Sequence, residues 1–290
     1  MGGRSDRAAS PAAWPVPAGT WRDSARSMAA EIAIYGAYFV QFLKARMAYR
    51  TDFVIDLTAS VLSLGAQLTV LAVLFRQVTA LRGWTFDEVL LIYGFSLLPS
   101  GLFNLVSVNI YRFSERYLVE GELDRVLLRP VDPLGQILFG SFGINGVNEL
   151  VLGIAVTAAA VRRLGLHPGP GDWLWLAVLA LSGALVYVGV FLALASVSFR
   201  WEDRMGLMPP VYNVIRFSRY PLTIYGRPVR WLLTFLLPFG WVAFYPANWL
   251  LRHPPWDRWA VWTPLVGAVV FWSARRLWLA GVRRYGSTGT

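Results

Sequence analysis

The sequence has no cysteine, which excludes disulfides, thiolate metal sites and iron–sulfur clusters. Histidine occurs twice, at His167 and His253, both in stretches that read as loops between apolar runs. Haem ligation by paired histidines inside a membrane is therefore excluded too. Lysine occurs once, at Lys44, directly after Phe42-Leu43 and without a glycine-rich turn. A P-loop needs its lysine beside such a turn to reach the β- and γ-phosphates, so the chain is not a self-contained ATPase. Charge is scarce as a whole, at 15% of residues against about 25% in an average soluble domain. Within the apolar runs the only acids are Asp56 and Glu149, thin support for a proton relay. No cluster of Asp, His or Glu suggests an enzyme. An ion-coupled secondary transporter and a membrane enzyme acting on lipid-linked substrates stand as the alternatives to the reading below.

What the sequence has in abundance is hydrocarbon: 56% of residues are hydrophobic, with fourteen tryptophans. A bilayer core about 30 Å thick needs roughly 20 apolar residues in a helix. Phe53–Phe75, Val89–Ile110, Leu134–Val161, Trp173–Phe199 and Trp231–Leu251 meet that length. Trp259–Ala274 is shorter, and Arg275 and Arg276 can snorkel to let it span. The expected fold is an all-α integral membrane protein with six transmembrane helices. The fifth span is open: Pro238 and Pro246 interrupt Trp231–Leu251, and each removes a backbone donor. The other reading crosses at about Met205–Tyr220 and lets 221–250 dip back in from outside.

The net charge of +10 is not a nucleic-acid footprint, because its placement follows the membrane. With both termini cytoplasmic, 21 of the 27 basic residues fall on the inner side and 6 on the outer side. That bias is what the positive-inside rule expects, and the inner excess meets lipid headgroups. Residues 1–27 have no apolar h-region, so they are not a secretory signal. Their Arg, Ala, Pro and Ser composition reads as a disordered cytoplasmic tail, ahead of a membrane domain over 28–290. In Met28–Arg50, Ile32, Tyr35, Phe39, Phe42, Leu43 and Met47 recur at helical spacing. This is either an interfacial helix on the inner leaflet or an extension of the first span. Glu149, in Asn145-Gly-Val-Asn148-Glu149, is the deepest ionisable group. With Asn104, Asn145 and Asn148 it is the candidate lining of a pathway between helices.

The densest run of mixed charge is Gly121–Gln136, GELDRVLLRPVDPLGQ, preceded by YRFSERYLVE. Gly121 breaks the first helix, Glu122 stands three residues from Arg125 and can pair with it, and Arg129 is pushed out of helix by Pro130. The stretch resembles the G-x-L-D-x-x-L-L-R-P signature of bacterial type-2 ABC-transporter permeases. Tyr220-Pro-Leu-Thr-Ile-Tyr225, Phe244-Tyr-Pro246-Ala and Gly281-Val-Arg-Arg-Tyr285-Gly-Ser-Thr-Gly289 resemble three further motifs of that family. Gly286 stands where the family usually has Ser. The resemblance spans about residues 30–290. It implies an N-terminal interfacial helix, a cytoplasmic coupling helix between spans 2 and 3, and a re-entrant outer segment before span 6. It implies a second permease, the same chain or a related one, and two copies of a separate ATPase carrying ATP and Mg. Arg112, Glu115, Arg116, Glu122, Asp124, Arg125 and Arg129 would then couple to that ATPase. The expected function is export of an amphipathic or hydrophobic substrate (a drug, natural product or lipid) across the bacterial cytoplasmic membrane.

Overall fold

The computed structural model describes residues 35–42, 44, 50–129, 131–200 and 208–286. The tail assigned to 1–27 lies outside the described residues. Among those described there is no strand, only an isolated bridge between Leu81 and Trp84. Five long apolar helices form the bundle: α1 (Arg50–Gln77), α2 (Phe86–Val106), α3 (Ile144–Arg163), α4 (Pro170–Val197) and α5 (Thr263–Arg284). A helical lead-in from Trp256 lengthens α5. The all-α membrane fold expected from the apolar runs is the observed one.

Local chemistry fixes the helix starts. Thr85 and Glu88 form a capping box at α2, with the Glu88 carboxylate accepting from the Thr85 amide at 2.8 Å. At α4, Pro170 occupies the first turn and the Asp172 carboxylate accepts from the Gly169 amide at 2.9 Å. α2 and α4 are the buried centre, while α1 is largely exposed and apolar, as befits a helix facing lipid. α2 lies along α3, and α4 along α5. Lipid gives no hydrophobic drive between helices, so close backbone approach matters. A Cβ on Gly146 would run into the Leu105 backbone of α2, and one on Gly267 would sit 2.6 Å from the Ser182 carbonyl of α4.

Two apolar runs are not single helices. Leu134–Val161 divides into a short helix, Pro133–Phe139, and α3, separated at Gly140–Gly143. Asp132 caps the short helix through the Gly135 amide, and Pro133 begins it. Tyr35 packs on Phe139 (4.9 Å), and Phe39 and Phe42 pack on Phe142 (5.2 and 5.6 Å). The helical stretch 35–42, the described part of the helix expected over Met28–Arg50, thus leans on this break.

The second case is Trp231–Leu251. The chain bends by 78° between Arg227–Leu236 and Phe239–Leu251. Pro238, without an amide proton, sits at the bend. Both ends of the bent pair meet the same loop. Thr223 accepts hydrogen bonds from the Trp84 indole (2.6 Å) and from Arg82 (3.3 Å). His253 stacks on Trp84 at 5.3 Å and meets Glu88 at 2.8 Å. The pair therefore enters and leaves at one end of the bundle, the Trp84 end. The crossing is made by 208–222, a short helix Met208–Val214 followed by the 3₁₀ turn Ile215–Arg219. With rises of about 1.5–2.0 Å per residue, this segment extends about 25 Å. Tyr212 contacts Tyr111 far from Trp84, and Thr223 contacts Trp84 itself. Of the two readings open from sequence, the geometry supports the re-entrant one, and Arg227 and Arg230 move to the Trp84 end.

A cysteine-free chain makes this testable. Gly226→Cys and Thr79→Cys both fall on exposed residues at the Trp84 end. Both are expected to react with an impermeant thiol reagent from the same face of sealed vesicles. Labelling from opposite faces would restore Trp231–Leu251 as a simple span.

Candidate functional site

At the end opposite Trp84, the chain leaves α2 through Val108–Tyr111 and a π-helical turn, Phe113–Val119. Single π turns are frequent at functional sites. Phe113 is fully buried, 4.8 Å from Trp278 of α5 and 5.3 Å from Phe199, and Tyr117 stacks on it. Gly121 then takes φ 73°, a left-handed conformation that only glycine adopts freely. It turns the short helix Glu122–Leu127 back, and Leu123 anchors that helix with no exposed surface.

This turn changes the expected pairing. Glu122 does not pair with Arg125; it receives Arg116 Nε at 2.6 Å. The reversal at Gly121 brings Glu122 over the preceding helix and leaves Arg125 exposed. The Glu122 hydrogen bond holds the Arg116 guanidinium above its ordinary pKa. Arg116 also donates to Asn109 Oδ1 (3.1 Å), and Asn109 Nδ2 donates to the Ile137 carbonyl (2.8 Å). Gln136 Nε2 donates to the Val126 and Val131 carbonyls at 3.2 and 2.9 Å. The short helix is thus tied on both sides to the segment leading into α3. Tyr285, just past α5, lies against Asp124; burial and then the Asp124 carboxylate hold its hydroxyl above the usual pKa. Two of the stretches singled out in the sequence, Gly121–Pro130 and Gly281–Gly289, therefore touch.

The structure sorts the seven charged residues of this region. Arg116, Glu122 and Asp124 are half-buried and point into the brace. Arg125 and Arg129 are exposed, as are Arg112 and Glu115, which form a loose 3.6 Å pair. Between the two exposed arginines Leu127 and Leu128 also face outward, Leu128 with 76% of its surface open. Leu127 and Leu128 thus form an apolar tip flanked by two exposed cations, on an element tied to α2, α3 and α5.

A second polar centre lies inside the bundle. Glu149 on α3 accepts from Asn104 Nδ2 of α2 at 2.8 Å and faces Arg219 at 3.6 Å. Tyr212 donates to Asn104 Oδ1 at 3.3 Å. Arg219 continues the chain to Gln67 of α1 (3.2 Å) and to the Tyr93 hydroxyl of α2 (3.3 Å). Tyr93 itself donates to Gln67 at 2.9 Å. Nearby, Asn148 Nδ2 donates to Ser60 of α1 at 3.1 Å. The network joins α1, α2, α3 and the 208–219 crossing across apolar packing. Of the expected pathway residues, Asn104 and Glu149 meet directly, Asn148, beside Glu149 on α3, turns to Ser60 of α1, and Asn145 is exposed and takes no part. Arg219 was missed, because it read as part of an inner loop. The signal was Glu149 itself: a lone acid in an apolar run calls for a cation.

No group of three or more metal-ligating side chains occurs among the described residues. A family model described as ABC-2 family transporter protein matches residues 61–289. None of the curated proteins and none of the solved structures compared with the chain matches it.

Proposed function

Because this chain belongs to the ABC-2 transporter family and is a permease subunit of an ABC transporter, we propose that it moves an amphipathic or hydrophobic substrate outward across the bacterial cytoplasmic membrane. The observation that carries the reading is the braced element at Glu122–Leu127. It is rigid, exposes Leu128 between Arg125 and Arg129, and is tied to the starts and ends of three membrane helices. A soluble ATPase docked there would push on α2, α3 and α5 together. The partner ATPase, in two copies, would hold ATP and Mg, and a second permease would complete the pathway. In this arrangement the Glu122 end and both termini are cytoplasmic, and the Trp84 loop and the re-entrant pair are outside.

The intramembrane network would have to part when the helices move. Asn104, Asn148 and Glu149 line the seam it closes, with Asn145 at its exposed margin. Glu149 is held by Arg219 and Asn104, which weakens the case for it as a free proton carrier and with it the ion-coupled alternative. The apolar, Trp-rich composition of the chain suits an amphipathic cargo better than a hydrophilic one.

The test is purification of the tagged full chain from its native membrane. An ATP-hydrolysing subunit is expected to copurify at one copy per permease chain, and vesicles carrying the complex should take up cargo only with ATP. In intact cells Thr79→Cys should label with an impermeant reagent and Glu120→Cys should be shielded. Uptake driven by an ion gradient in the absence of ATP would overturn the reading.

A further inference from the structure

At the Trp84 end, the mouth of the re-entrant pair opens into a cleft of about 290 Å3. Trp231, Phe235, Tyr245 and Trp256 form much of its lining, drawn from both arms of the pair and from the lead-in to α5. Arg227 and Arg230 also line it, one turn apart on the same face, and no carboxylate does. Among the described residues neither arginine forms an ion pair. The neighbouring acids are engaged elsewhere: Glu88 meets His253 at 2.8 Å, and Asp87 meets Arg163 at 2.6 Å. Asp257, the one acid on the Trp256–Trp259 turn, does not line the cleft.

Arg227 is exposed and Arg230 half-buried, so the two guanidinium groups present a cationic pair beside aromatic rings with no counter-charge from the cleft lining. Arginine's planar fork matches a phosphate with two parallel hydrogen bonds, and it sheds water more readily than lysine. The cleft sits at the lower limit of roughly 300–1,000 Å3 for small-molecule sites, room for a headgroup and not for a whole lipid. Beside it Trp231, Phe235 and Leu236 are 59%, 65% and 63% exposed, an apolar track leading away from the cations. We propose that this cleft binds the phosphate-bearing headgroup of an anionic membrane lipid, with the acyl chain lying along Phe235 and Leu236. The proposal needs only that the re-entrant pair sits in a bilayer, so it does not stand or fall with the ATPase-coupling reading.

The experiment titrates the purified full chain, in uncharged detergent, with a short-chain phosphatidylglycerol. Phosphatidylcholine of the same chain length and inorganic phosphate serve as comparators. Phosphatidylglycerol should bind saturably and at least about tenfold more tightly than phosphatidylcholine, a difference of about 1.4 kcal/mol. Inorganic phosphate should compete only at far higher concentration. Arg227→Gln with Arg230→Gln should lose tenfold or more in affinity, by the same relation. Arg227→Gln alone changes an exposed residue that supports no packing. It should lose affinity by about threefold while eluting as wild type in gel filtration. Arg162→Gln, outside the cleft, should bind as wild type. Equal affinity for the two lipids, equal displacement by free phosphate, or wild-type binding by the arginine variants would each overturn the proposal.

Discussion

Arg125→Glu combined with Arg129→Glu is expected to detach the ATPase partner and leave the membrane bundle folded. Both side chains are exposed and neither braces the element, so the fold loses nothing it uses. They flank Leu128, the open apolar tip at which the partner is proposed to dock. Like charges set opposite each other at an interface cost several kcal/mol. Two reversals should therefore weaken binding by about a hundredfold, or roughly 3 kcal/mol. The measurement is the amount of ATPase that copurifies, with thermal stability of the isolated permease as control. Glu122→Arg is expected to behave differently. It places like charge against Arg116 and breaks the 2.6 Å bond that holds the turn, so stability and assembly should fall together. If the double reversal leaves copurification and transport at wild-type levels, the element is only a solvated connection.

The other large effect is expected inside the bundle. Glu149→Gln removes the charge facing Arg219 but keeps an oxygen for Asn104. Removing one partner of a buried ion pair costs about 3–5 kcal/mol. Both side chains keep some exposure, 15% for Arg219 and 23% for Glu149, so the lower part of that range is expected. Arg219→Met should cost a similar amount, by stranding Glu149. The double variant, Glu149→Gln with Arg219→Met, should recover much of the loss, because neither charge is then unpaired. Thermal unfolding of the four proteins in one detergent closes the cycle. Strictly additive losses would mean that the 3.6 Å approach carries no coupling. Transport should fall in both single variants if the seam has to part and reseal during each turnover.

Much of this protein was legible in one dimension. Membrane class and the long helices follow from runs of apolar residues measured against a bilayer of fixed thickness. That test is local, and Val89–Ile110 and Trp173–Phe199 pass it without reference to anything else in the chain. The absence of a phosphate-binding lysine likewise needs no structure. Gly121 announced a break in the charged loop, and the chain turns there.

What the tertiary structure decided are the relations between segments of similar local character. Pro238 signals a bend wherever it stands; only the contacts of Thr223 and His253 with one loop at Trp84 make the bent pair re-entrant. Glu122 had Arg125 within reach along a helix, yet the left-handed turn at Gly121 carried it to Arg116. Glu149 was visible as a lone acid, but its partner Arg219 lies 70 positions away in sequence on a crossing too short to pass a hydropathy test. Hydropathy reads the preference of each segment for lipid or water. Pairing depends on which segments the packing of α2 against α3 and of α4 against α5 brings within hydrogen-bond distance, and that is a property of the whole chain.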